Sequence, residues 1–323
     1  MRTTIQAKAT VLVLLLMSAT GALPQDQVTS EPPPWAYLVN TQTGPSPTAD
    51  DGTMKHVPGS SKAMTLTQVR DGFNLPDWHP DEHPPMPEVV EHGRKPDVRA
   101  CGWCHMPDGI GRPENAGLSG LPASYIVQQI ADFRSGVRKS SQPKFGPLMA
   151  VIAKAASDSE VQAAAEYFSA LKPRQWIRVV ETETVPKTAV AGMLVPVEGG
   201  GREPIGQRII EIPENPVLTE LRDGGSGFVA YVPAGVIAKG DALVTNGGGK
   251  TTPCGICHGS DLKGLGPVPG IAGRSPSYIF RQLYDIQHGV RKGEWTDLMK
   301  APVAHLTQED MIAVAAYTSS RMP

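Results

Sequence analysis

Cys101-Gly-Trp-Cys104-His105 and Cys254-Gly-Ile-Cys257-His258 decide how this chain reads. C-x-x-C-H is the attachment pattern of a c-type haem. Two thiols add across the porphyrin vinyl groups, and the two intervening residues set the span between them. The histidine follows directly and offers its imidazole to the iron as proximal ligand. The chain contains four cysteines, and these two motifs use all of them. Two other readings of paired cysteines fit less well. Zinc-binding pairs usually lie about 15–20 residues apart, whereas these lie 153 apart (254 minus 101). A thioredoxin-type redox pair needs a βαβ setting, and does not account for a histidine after both pairs.

The motifs head two copies of one pattern. Gly117-Leu-Ser-Gly-Leu-Pro-Ala-Ser-Tyr125-Ile matches Gly270-Ile-Ala-Gly-Arg-Ser-Pro-Ser-Tyr278-Ile, and Ser135-Gly-Val-Arg-Lys139 matches His288-Gly-Val-Arg-Lys292. Between these markers Tyr125, Ile126, Ile130 and Phe133, and again Tyr278, Ile279, Leu283 and Ile286, recur at helical spacing. Gly136 and Gly289 stand where a helix C-cap belongs. Ser157-x-x-Glu160 and Thr307-x-x-Asp310 resemble capping boxes and open a last, Ala-rich helix in each copy. The haem units are therefore expected at 86–172 and 233–323.

The rest of the chain divides around them. Residues 1–22 read as a secretory signal peptide: Arg2 and Lys8, an apolar run from Ala9 to Met17, then small residues at Ser18, Ala19, Gly21 and Ala22. Residues 23–85 are proline-rich, which blocks helix and central strand. They are expected to form an extended arm with one short helix near Thr65–Phe73, its apolar patches (Trp35, Tyr37, Leu38, Phe73, Leu75, Trp78) wrapping a domain or a partner. His79, Asp81, Glu82 and His83 have metal-binding residue types, but the prolines around them favour a solvated loop. Residues 173–232 carry β-branched and apolar runs punctuated by glycines, and predict a small β-rich connector without obvious chemistry. Lys and Arg number 30 against 32 Asp and Glu, a net charge of −2, so nothing points to nucleic acid. No later stretch is long and apolar enough to span a bilayer, so the mature chain is expected to be exported to the periplasm without an integral membrane span.

The sixth iron ligand separates a carrier from an enzyme, because an open face binds peroxide or oxygen and a filled one only moves electrons. Superimposing the last helices also superimposes Met149 on Met299. One methionine in an apolar segment is ordinary core filling. Two at matched positions point to ligation, opposite His105 and His258. Met106 and Met193 are poorer candidates, one tied beside the proximal ligand and the other in the connector.

This arrangement resembles class I cytochromes c, and closely the di-haem cytochrome c4 type, over 86–172 and 233–323. The resemblance implies a mostly α fold of two tandem class I domains, here with a β-rich connector and a proline-rich N-terminal arm. It implies two covalent haems c on Cys101, Cys104, Cys254 and Cys257, with His105, Met149, His258 and Met299 as iron ligands. Pro269-Gly-Ile-Ala-Gly273 resembles the family's proline loop, whose carbonyl hydrogen-bonds the proximal histidine. Ala116 replaces that proline in the first unit, and its loop is expected to be looser. The function expected is single-electron transfer without catalysis, between an upstream dehydrogenase and a downstream oxidase or reductase. Two rivals remain: a di-haem peroxidase-like enzyme, and a cytochrome subunit of a periplasmic dehydrogenase complex. Arg138 and Arg291 are expected either at the haem propionates, at a partner's acidic groups, or in no special role.

Overall fold

The structure, a computed structural model, describes residues 31–37, 44, 47–141 and 146–323. The signal-peptide expectation for 1–22 and the arm residue Leu38 lie outside them. In the arm, α1 (Leu66–Val69) is a single turn closed by a capping box from Thr65 and Gln68. The first repeat holds α2 (Glu88–Glu91), α3 (Cys101–His105), α4 (Ala123–Ser135), α5 (Gly146–Ala155) and α6 (Asp158–Ala170). Next come β1 (Ile177–Thr182), β2 (Thr184–Pro186), β3 (Thr188–Val190), β4 (Leu194–Pro196), β5 (Arg202–Pro204), β6 (Ile210–Pro213), α7 (Pro216–Glu220) and β7 (Phe228–Pro233). The second repeat holds α8 (Val236–Asn246), α9 (Gly255–His258), the short pair β8 (Gly264–Leu265) and β9 (Val268–Pro269), α10 (Pro276–Gln287), α11 (Lys300–Val303) and α12 (Gln308–Ser319).

Between the repeats, β1 pairs in parallel with β7, and β7 antiparallel with β6, in the order β1-β7-β6. β2–β5 and β3–β4 form separate two-stranded pairs. Every residue of β6 is buried, so the sheet is a packed element.

Each repeat has its own core. In the second, Ile279, Phe280, Leu283 and Tyr284 of α10 bury against Met311, Ile312 and Ala315 of α12. Gly240 of α8 lies so close to α12 that a Cβ there would sit 2.1 Å from the Ala313 carbonyl oxygen; only glycine permits that approach. The first repeat's counterpart helix, α2, is a single turn. Ser157–Glu160 and Thr307–Asp310 close reciprocal capping boxes on α6 and α12. Gly136 caps α4 in the left-handed region at φ 78°. α10 instead caps on His288, and the left-handed residue is the next one, Gly289.

The arm lies on both neighbours. The Trp35 ring sits 4.6 Å from that of Phe280, and the Tyr37 hydroxyl donates to Asp285 Oδ1 at 2.7 Å. Val57, Leu66, Val69 and Trp78 bury against Leu221. His79 Nε2 meets Asp223 Oδ1 at 3.1 Å and His83 Nε2 meets Asp77 Oδ1 at 3.2 Å. Among the described residues no cluster of three His, Cys, Asp or Glu side chains is arranged to hold a metal ion. His83 and Asp77 expose only 6% and 9% of their side chains, so this stretch is packed rather than the solvated loop expected.

Candidate functional site: two haem-attachment centres

α3 carries Cys101, Cys104 and His105 on one five-residue turn. None of the four cysteines is paired in a disulfide. His105 Nδ1 donates to the Ala116 carbonyl oxygen at 2.8 Å, and His258 Nδ1 donates to the Pro269 carbonyl oxygen at 2.8 Å. A carbonyl only accepts, so Nδ1 carries the proton and Nε2 keeps its lone pair, the tautomer a metal ligand needs. Burial holds both imidazoles below the usual histidine range, opposed by those same carbonyls, which favours the neutral, ligating form. The expected Pro269 contact is present. The same contact forms at Ala116, because the bond uses the main-chain carbonyl, which any residue supplies.

The residue after each histidine takes a left-handed conformation, Met106 at φ 68° and Gly259 at φ 84°. Met106 is buried against Ile110, Trp176 and Phe228, and that packing offsets the strain of a side chain at positive φ. It therefore faces the sheet. Met193 lies beside Arg112, whose Nη2 is 3.3 Å from its sulfur.

Cys101, Cys104, His105 and Met149 line one cavity. It encloses about 630 Å³, part of it open to solvent, and its other walls include Val98, Ile126, Ile152 and Phe168. Met149 lies within α5 rather than in a loop. An apolar slot with two thiols, a neutral imidazole and a thioether on its walls matches the donor set and shape of a covalently held porphyrin. In the second repeat, Cys254 and Met299 pack on the same core, and Met299 ends a 3₁₀ turn at Thr296–Met299. Burial pushes the Cys101 thiol up to about 12 and the Cys254 thiol up to about 11.

The repeats meet through their shared Gly-Val-Arg-Lys segment. Lys139 N donates to Val290 O at 3.1 Å, and Lys292 N donates to Val137 O at 2.9 Å. Each pair is the other shifted by 153 residues, so the contact is an internal two-fold. Arg138 donates to Gln129 of its own repeat and to Tyr278 and Gln282 of the other. Arg291 donates to Gln282, and across to Tyr125 and Gln129. Both arginines are 8% exposed, and among the described residues neither has a carboxylate within 4.0 Å. Burial raises the Tyr125 phenol, but Arg291 and Arg138 together bring it below the usual tyrosine range. Arg291 Nε is buried without a hydrogen-bond partner. A buried cationic cluster with an unused donor is a place for an anionic group.

No family model matches the chain. Cytochrome c-554(548) of Halomonas halodenitrificans is 37% identical over 83 residues, 25% of this chain and 98% of that protein. The chain belongs to the di-haem class I c-type cytochromes. The cytochrome carries two covalently attached haems c and transfers electrons. It is also 28% identical over 232 residues to the thiosulfate dehydrogenase electron acceptor of Stutzerimonas stutzeri, covering 71% of this chain and 82% of that protein. Among solved structures, thiosulfate dehydrogenase (TsdBA) from Marichromatium purpuratum shares 25% identity at a TM-score of 0.48. That match covers 72% of this chain and 39% of the other, so the cytochrome spans about two fifths of its length.

Two connector residues reach the haem units, although the connector sequence shows no chemistry. Glu211 of β6 accepts from Ser275 Oγ at 2.8 Å and from Ser277 N at 2.7 Å, anchoring the N-terminus of α10. Arg222 lies over Trp103. Neither belongs to a motif, and only burial in the fold marks them. No helix among the described residues is long and apolar enough to cross a membrane.

Proposed function

We propose that the cytochrome is an exported, non-catalytic electron acceptor for a dehydrogenase that oxidises a reduced sulfur compound. The observation that carries the non-catalytic reading is Met149 on the wall of the cavity that holds Cys101, Cys104 and His105. A thioether there closes the iron face that peroxide chemistry needs open. The partner class rests on the likeness to thiosulfate dehydrogenase electron acceptors along most of both chains. In this reading 86–172 and 233–323 are tandem cytochrome c domains, joined by the connector 173–232 and preceded by the arm 23–85. A signal peptide at 1–22 delivers the chain to the periplasm.

Bound haem supplies a one-electron ferric/ferrous couple at each centre. Cys101 and Cys104, and Cys254 and Cys257, anchor it. His105 and His258 would supply Nε2 as donor, with their ring planes held by the Ala116 and Pro269 carbonyls. Met149 and Met299 would each offer a thioether sulfur, one from α5 and one from the turn Thr296–Met299. Arg138 and Arg291 supply buried positive charge for the acidic porphyrin side chains at the contact between the domains. The test is reduction of the purified holoprotein. Thiosulfate with a thiosulfate dehydrogenase should reduce both haems, and thiosulfate alone neither. Reduction by thiosulfate alone, or rapid peroxide turnover with a high-spin haem at rest, would refute the carrier reading.

A further inference from the structure

The haem-attachment turns differ in what covers them. In the second, Ile256 is 64% exposed and Cys257 is at the surface. In the first, the matching residue Trp103 is roofed by the connector. The Arg222 guanidinium carbon lies 3.5 Å from the Trp103 ring centroid, and its Nη1 donates to the Trp103 carbonyl oxygen at 2.5 Å. Arg99 reaches the same ring at 5.9 Å, and Trp103 Nε1 donates to Val69 O at 3.3 Å. Arg222 holds this place from a left-handed backbone, φ 57°, a cost that the contacts around it must offset. It also lines a small pocket with Arg112 and Asp223, walled by Met106, Trp176 and Phe228. Arg112 has Glu114 at 3.9 Å; among the described residues Arg222 has no carboxylate within 4.0 Å.

We propose that Arg222 sets the potential of the first haem and makes it the higher-potential of the two. This rests on haem attachment at Cys101 and Cys104 as proposed above. Ferric iron carries one more positive charge than ferrous. A guanidinium without a paired carboxylate, set against the attachment turn, would therefore disfavour the ferric state. The second centre has an open edge and no such roof. A donor would lose its electron to the exposed second centre, and the higher potential of the first would draw that electron inward. The connector thus makes the first haem an insulated electron store behind the accessible second one.

The experiment is a redox titration of the holoprotein with R222Q, R222K and I256K. R222Q should lower the higher potential and leave the lower one in place. One charge at about 10 Å and an effective dielectric near 20 corresponds to roughly tenfold in the ferrous-to-ferric equilibrium constant. R222K keeps the charge and should retain most of the potential. I256K, which adds a cation at the exposed second turn, should raise the lower potential alone. Intact mass separates the two levels of inference. A parent protein without haem on the Cys101–Cys104 peptide would overturn the attachment itself. Full haem content with an R222Q titration identical to the parent, or one in which the lower potential falls, would overturn the role of Arg222.

Discussion

Arg138 and Arg291 share two acceptors: Gln129 Oε1 lies 2.6 Å from Nη1 of the first and 2.9 Å from Nη2 of the second, and Gln282 Oε1 lies 3.2 Å from Nη2 of the first and 2.9 Å from Nη1 of the second. Like charges meet this closely inside a protein only where hydrogen bonds and an anion compensate them. Because each guanidinium reaches residues of both repeats, R138M and R291M should each move both haem potentials, unlike R222Q. Each should also destabilise the fold by about 1–3 kcal/mol, since buried acceptors lose their donor. Spectroelectrochemistry with denaturant unfolding checks both; movement of one potential only would show that the repeats are not coupled here.

Met149 and Met299 come from different local structures, a helix and a 3₁₀ turn. M149A and M299A should each remove about half of the methionine–iron charge-transfer absorption of the oxidised protein and lower one potential. A near-infrared spectrum unchanged in either variant would dismiss that methionine as ligand.

The equal 2.8 Å bonds from His105 to Ala116 and from His258 to Pro269 revise the weight of the proline. P269A keeps the carbonyl, so both potentials should stay within experimental error. A clear shift of one wave would mean that ring rigidity, rather than the hydrogen bond, tunes the iron.

Glu211 is raised from 4.5 to about 7, chiefly by burial, against the hydrogen bonds from Ser277 and Ser275 and the charge of Arg281. The folded chain therefore binds this proton more tightly than the unfolded chain. Between about pH 4.5 and 7 unfolding releases it, so this contribution to stability falls as pH rises through the window and is flat above it. Subtracting E211Q from parent stability at each pH should expose a slope on the order of 1–3 kcal/mol in total. Parallel curves would show that Glu211 ionises normally.

G240A should destabilise the second repeat by about 1–3 kcal/mol or more, because the new methyl meets Ala313 O of α12. Thermal unfolding followed at the haem bands would register it; an unchanged melting point would mean that the helices can separate freely.

Much of this protein was legible along the chain because covalent chemistry and helix ends are local. A C-x-x-C-H turn states its cofactor within five residues. The Ser157 and Thr307 capping boxes form between residues three apart. Gly136 needs only its own φ. Ser157 and Thr307 open the last helices 150 residues apart, and the same offset made Met149 and Met299 a pair in the sequence alone. The interplay between segments was not legible, because it depends on what burial brings together. Nothing near Glu211 announces that Ser275 and Ser277 will close over it. Nothing in Leu-Arg-Asp-Gly-Gly (221–225) says that Arg222 will lie on Trp103, 119 residues away. Pro269 looked decisive because side chains are what a sequence displays, yet the bond to the histidine comes from a backbone carbonyl that Ala116 supplies equally well. Local covalent and capping rules decided the cofactor and the repeats. Only tertiary packing decided the electrostatics around each haem, since a charge acts through space and dielectric rather than along the chain.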